Sequence, residues 1–175
     1  MKDHDPSAVT PAPELQVASE SFNDGDTLGP DQRSGILGAG GKDMSPQLSW
    51  SGAPEGTRSF AVTMWDPDAP DPGGYWHWAV LNIPPEVSSL PAGSGGQDGH
   101  ALPAGAFQLK NDGGRSGYVG AAPPRGHGPH RYIVAVHALD VEDLGIEKDS
   151  DARILASALP AHTLARGTIT GMFER

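Results

Sequence analysis

The chain reads as a mainly β protein, an antiparallel β-sandwich of two sheets with one or two short C-terminal helices. Three observations predict it. The longest apolar runs, SFAVTMW, HWAVLNI and RYIVAVHAL, have strand-like lengths and are rich in β-branched and aromatic residues. Glycine (24) and proline (17) are well above their usual share of 175 residues, follow no period and are interleaved with the apolar runs, which points to loops rather than to collagen or disorder. Only near the end, over DARILASAL, does the pattern turn helical.

Taken in order, residues 1–14 are polar and proline-rich and are expected as a flexible leader to a single domain over 15–175. Residues 15–18, with Phe22, suit a first edge strand. A Gly-rich loop over 29–46 closes on SPQLSW, a short strand. In residues 59–65, Phe60, Val62 and Met64 alternate with Ser59, Ala61 and Thr63, so the two sets take opposite faces. Residues 77–83 are nearly all apolar, as in a central strand covered on both sides. From 84 to 130 Gly, Pro and small residues dominate, with strand candidates only at 107–109 and 118–120, and a loop of that length is expected to be functional. Residues 131–139 form the strongest strand and again a central one. Ser150 caps a helix through DARILASAL; Pro160 ends it or starts a second turn through AHTLAR, stopped by Gly167; residues 168–174 are the last strand.

The formal net charge is −10 and the pI about 4.9, with no Lys/Arg cluster to release counterions from phosphates, which excludes nucleic acid as a partner and disfavours anionic membranes. A local pocket for a small anion remains compatible with that balance. The absence of cysteine excludes disulfides, thiolate metal sites and a cysteine nucleophile. The first residues lack the apolar core of a signal peptide, and no apolar run approaches the ~20 residues of a membrane span, so no membrane insertion is expected and the cytoplasm is the default location.

The chemistry gathers around DPDAPDPGGYWHW. Asp66 and Asp68 follow one strand and His77 begins the next; if the two run antiparallel, all three share one end of the sheet. His130 begins a third strand, with Tyr132 on the same face. Singly, these residues have ordinary readings: DPD as a turn, the histidine between two tryptophans as a hydrogen-bonded core residue, HRY as a strand start. Their joint occurrence beside rigid loops is what suggests a site. A metal site lacks any closely spaced ligand pair such as H-E-x-x-H, and no G-x-S-x-G supports a serine hydrolase. GAGGKD fails as a P-loop, since Ile36 stands where the first glycine belongs and Asp43 follows Lys42. An aspartate that fixes one imidazole nitrogen leaves the other to face a ligand. Two such histidines, a tyrosine hydroxyl and a spare carboxylate suit a zwitterionic phosphate–ammonium group.

DPDAP, HWAVLN and YVGAAPPRGHGPHRY together closely resemble the phosphatidylethanolamine-binding protein family, also called Raf kinase inhibitor protein-like. MSPQLSW, GTRSFAVTMW and the ending HTLARGTITGMFER look like its bacterial branch, and the resemblance runs over residues 15–175. It implies a two-sheet β-sandwich, no enzyme activity, no cofactor, and a small cavity for phosphate or phosphoethanolamine. Its lining would be Asp66, Asp68, His77, Gly120, Ala122, Pro123, Pro124, His130 and Tyr132, with a mouth beside Trp76 and Trp78. Ala121 and Ala122 depart from the Gly or Pro of relatives and would narrow the pocket or forbid a positive φ. Arg125 and His127 add local positive character that either suits an anion or simply faces solvent. The alternatives are a regulator that inhibits a kinase or a serine protease through the 84–129 segment, and a hydrolase. Bacterial relatives often pair as homodimers, although no apolar stripe in this sequence marks an interface.

Overall fold

The short β-branched and aromatic runs pair into two antiparallel sheets. In the computed structural model, which describes residues 13–175, the strands are β1 (Gln16–Ala18), β2 (Leu48–Ser51), β3 (Ser59–Asp66), β4 (Tyr75–Ile83), β5 (Ser89–Leu90), β6 (Phe107–Gln108), β7 (His130–Leu139) and β8 (Thr163–Phe173). Among the described residues one α-helix, α1 (Leu155–Ala158), follows a 3-10 turn at Ala152–Ile154. The small sheet has the order β1-β2-β5 and the large one β6-β4-β3-β7-β8. Residues 1–12 of the expected leader lie outside the described residues; Pro13 accepts a hydrogen bond from Arg166 N–H (3.0 Å) and Glu14 bridges to the same residue.

The alternation in β3 separates two cores. Phe60, Val62 and Met64 join Leu48, Trp50 and Leu90 of the small sheet in the inter-sheet core. Ala61, on the opposite face, packs with Leu155 and Leu159 beneath α1. Both faces of β3 are therefore covered, and all eight of its residues are buried. Among the described residues, no helix is long and apolar enough to cross a membrane.

Three expectations need correction. The second helical turn through AHTLAR does not form, because Thr163–Phe173 is a continuous strand that pairs with the whole of β7. Long-range pairing overrides local helix propensity there, and Gly167 passes the Leu15 carbonyl too closely for a Cβ. Ser150 does not cap the helix; Asp151 occupies that place, without a side-chain cap bond. Residues 118–120 are not a strand either, although Tyr118 N–H bonds to the Gly95 carbonyl (2.8 Å) and Val119 N–H to that of His77 (3.0 Å).

One buried ionisable group sits away from the sheet end that carries the site. His137 is fully buried, and its Nδ1 donates to Thr163 Oγ1 (3.2 Å), which in turn donates to the Leu159 carbonyl (2.8 Å). Nε2 has no partner among the described residues. Burial pushes the ring's pKa down to about 3 from an ordinary 6.5. Between those values the unfolded chain binds the extra proton, so stability is lost as the pH falls below 6.5. His137 alone is expected to make the protein about 2 kcal/mol less stable at pH 5 than at pH 7. Urea unfolding at the two pH values should show a smaller difference in His137→Leu, and an unchanged difference would contradict this assignment.

Candidate functional site

β3 runs antiparallel to both β4 and β7, so the end of β3 and the starts of the other two meet at one end of the large sheet. That edge carries Asp66, Tyr75, His77, His130 and Tyr132. A β-bulge aims one of them. β3 advances one residue from Met64 to Trp65 while the paired β4 positions go from Trp78 to Trp76, which leaves His77 as the extra residue. Bulges re-aim side chains next to functional sites. His77 is steadied by Val119 on both sides: Nδ1 donates to the Val119 carbonyl (2.8 Å), and the His77 carbonyl accepts the Val119 N–H. Because a carbonyl only accepts, Nδ1 carries the proton and Nε2 is the acceptor of the neutral ring. Burial drives the His77 pKa below its ordinary value, the bond to Val119 offsetting this only in part.

The same bulge moves the tryptophans. Trp78 packs in the inter-sheet core and Trp76 in the core beneath α1, so neither forms the expected mouth. The aromatic neighbours of His77 are instead Tyr75, at 4.7 Å between ring centroids, and Tyr132, at 5.2 Å.

Asp66 is buried and uses both carboxylate oxygens. Oδ1 accepts the N–H groups of Asp68 (2.8 Å) and Ala69 (3.1 Å), closing the turn, and Oδ2 accepts from His130 Nδ1 (2.8 Å). Asp68 does not join the pocket. Its carboxylate takes the Arg131 backbone N–H (2.9 Å), Nε (3.0 Å) and Nη2 (3.0 Å). Partial burial works to raise the Asp68 pKa, but the bonds from Arg131 outweigh it and hold the carboxyl below its ordinary value. The two aspartates of DPD thus fasten their loop to the consecutive residues His130 and Arg131.

These elements enclose a cavity of about 190 Å³. Of the expected residues, Asp66, His77, Gly120, Ala122, Pro123, Pro124, His130 and Tyr132 line it; Asp68 does not. Neither Ala121 nor Ala122 has a positive φ, so their methyl groups impose no backbone strain. Gly120 lies against the Arg33 backbone, where a Cβ would collide, and its N–H donates to Asp43 Oδ1 (2.7 Å). Tyr132 is 1% exposed, and its hydroxyl has no partner among the described residues. Burial, helped by nearby Asp66, pushes its pKa up, so the hydroxyl keeps its proton.

The sequence reasoning missed Ser34, Ile36, Leu37, Asp71 and Tyr75 in the lining. Tyr75 could have been found from its position two residues before His77, and Ile36–Leu37 as an apolar pair in a Gly-rich loop. Both are exposed, 50% and 74%. Arg175 ties the two lips together, donating from Nη1 to the Leu37 carbonyl (2.7 Å) and from Nε to that of Pro123 (2.8 Å). His127, expected either to suit an anion or to face solvent, is exposed and also bonds to His130, with 2.6 Å between His127 Nδ1 and His130 Nε2. Among the described residues no cluster of three or more His, Asp or Glu is placed to hold a metal ion.

Comparison with known proteins gives a consistent result. The sequence profile of the family described as phosphatidylethanolamine-binding protein matches residues 18–174. The chain is 43% identical over 160 residues to the UPF0098 protein YbcL of Escherichia coli, covering 91% of this chain and 87% of the relative. It is 41% identical to the UPF0098 protein YbhB of the same organism, covering 91% and 100%. The crystal structure of YbcL, described as a member of the mammalian PEBP family, superposes with a TM-score of 0.90 over 93% of this chain and 99% of that one. A homologue from Chlamydia trachomatis, 29% identical, gives 0.76 over 94% and 99%.

The two aspartates of DPD should differ in their weight. Asp66→Asn keeps one oxygen for the two turn N–H groups but puts an NH2 donor where a buried oxygen accepted from His130 Nδ1, and is expected to cost about 2–3 kcal/mol. Asp68→Asn weakens a partly exposed ion pair and should cost about 1 kcal/mol or less. Denaturant unfolding of both variants checks the order, and equal losses would contradict it.

Proposed function

The chain belongs to the phosphatidylethanolamine-binding protein family, and we propose that it is a non-enzymatic binding protein whose cavity takes a small phosphate- or phosphoethanolamine-like group, lipid head groups included. The observation that carries this reading is Tyr132 in the cavity wall beside His77 and His130, its buried hydroxyl without a partner among the described residues. A buried hydroxyl without a bond is unfavourable and is relieved by a ligand oxygen. The neutral His77 offers an acceptor at Nε2 and Tyr132 a donor, a pair that suits a monoprotonated phosphate: one oxygen accepts and one hydroxyl donates. The volume of about 190 Å³ fits a head group rather than a drug-sized molecule, for which pockets run to roughly 300–1,000 Å³.

Asp71 takes the role expected of Asp68. It is exposed at the rim next to Tyr75, and a carboxylate beside an aromatic ring suits an ammonium group. Any apolar substituent on the phosphate would leave past Ile36, Leu37 and Pro124. Nucleophilic catalysis has less support, since Ser34 Oγ accepts the Ile36 N–H (3.2 Å) and pairs with no imidazole among the described residues. A kinase or serine protease regulator is also less favoured. The segment such a role would use is tied down by β5, β6 and backbone bonds such as Gly93 to the Ser45 carbonyl (2.9 Å).

Calorimetric titration should give saturable binding of both inorganic phosphate and O-phosphoethanolamine, the latter tighter by about fivefold through Asp71. Asp71→Asn should erase that preference, and Tyr132→Phe should weaken both ligands about tenfold. A folded protein that gives no saturable heat with either would overturn the reading.

A further inference from the structure

His130 is the most firmly placed imidazole of the cavity, and in this conformation it has no nitrogen available to a ligand. The residue is 1% exposed. Nδ1 lies 2.8 Å from Asp66 Oδ2 and Nε2 lies 2.6 Å from His127 Nδ1. An ionised carboxylate only accepts, so Nδ1 carries a proton. Whichever ring supplies the shared proton, Nε2 is engaged by His127.

His127 differs from the other groups around the cavity. It is exposed and is not part of the cavity lining. It sits in a turn between Pro124 and Pro129, flanked by Gly126 at φ 73° and Gly128 at φ 87°. The turn is held by Gly126 N–H on the Arg175 carbonyl (2.7 Å) and by the His127 N–H on that of Pro124 (3.2 Å). The imidazole can therefore swing away without disturbing core packing, whereas His130 cannot move without leaving Asp66.

We infer that His127 is a latch: its imidazole holds the place on His130 Nε2 that a ligand oxyanion takes, and binding expels it. The inference rests on the reading of the cavity as an anion site and adds how that site is opened. A ligand oxyanion at Nε2 requires that nitrogen to carry a proton; seating the anion takes that proton up from solvent, and His127 turns away with its own ring proton. The Asp66 carboxylate on the other side of the ring stabilises the resulting cation. A hydrogen bond between imidazolium and oxyanion is about twice as strong as a neutral one, so the exchange runs toward the ligand. The apparent affinity is nevertheless reduced by the fraction of molecules in which the latch is open.

Removing the latch should therefore tighten binding, the opposite of what removing a direct ligand contact would do. Titrating wild type and His127→Ala with inorganic phosphate and with O-phosphoethanolamine is expected to show about tenfold tighter binding in the variant for both, corresponding to an open fraction of about one tenth. Ring-nitrogen NMR on the wild type should show the His127–His130 hydrogen bond before titration and a free His127 ring at saturation. Binding by the variant alone would also support the latch. Equal or weaker binding by the variant, or a His127 ring unchanged at saturation, would overturn the latch while leaving the anion site standing. Failure of both proteins to bind either probe would overturn both.

Discussion

A carboxylate taken out of water must have its oxygens hydrogen-bonded, and the way Asp66 meets that demand organises the whole sheet end. One oxygen closes the turn after β3 through two backbone N–H groups, and the other orders the ring of His130 at the start of β7. Asp68 repeats the link one residue along, through Arg131. With the loop fastened to β7, the face of Tyr132 and the adjoining bulge of β4 are fixed relative to each other. The cavity is the space those commitments leave beneath the lip of Ile36 and Leu37. Apart from the His127 contact on His130, its polar groups are preorganised, so little other ordering is left for a ligand to impose.

The division between rigid and movable parts follows from the same chemistry. Tyr132 and His77 are held by burial and by backbone partners, and Arg175 fixes the carbonyls of both lips. His127, which is hydrogen-bonded to His130, is exposed and flanked by Gly126 and Gly128. A site that is rigid on its floor and adjustable at one imidazole can recognise one charged group while changing its openness.

Much of this was readable in the sequence because period-2 patterns and strand ends are local. The three long strands, the face shared by His130 and Tyr132, and the meeting of Asp66 with His77 at one sheet end all followed from alternation and antiparallel pairing. What was not readable depended on pairing between distant segments. The bulge at His77 is a relation between β3 and β4 and is invisible in either strand alone; it is why Trp76 and Trp78 face different cores instead of the cavity. Asp68 and Asp71 are indistinguishable by type, and only the position of Arg131 decides which one is drawn into an ion pair. The mistaken helical turn at AHTLAR has the same origin, since a ladder along β7 dominates a weak local propensity. For His127 the sequence left an anion role and simple exposure both open; its bond to His130 was not readable, because the contact depends on how the turn packs on β7.

The central claim is that the sheet end ordered by Asp66 is a receptor for a small phosphate-bearing group. A crystal structure of the protein grown at saturating O-phosphoethanolamine tests it most directly. The account predicts the phosphate in the cavity, within hydrogen-bonding distance of the Tyr132 hydroxyl and the His77 ring, with Asp68 still on Arg131. A well-ordered cavity holding only water at that concentration, or the ligand bound elsewhere on the surface, would contradict it.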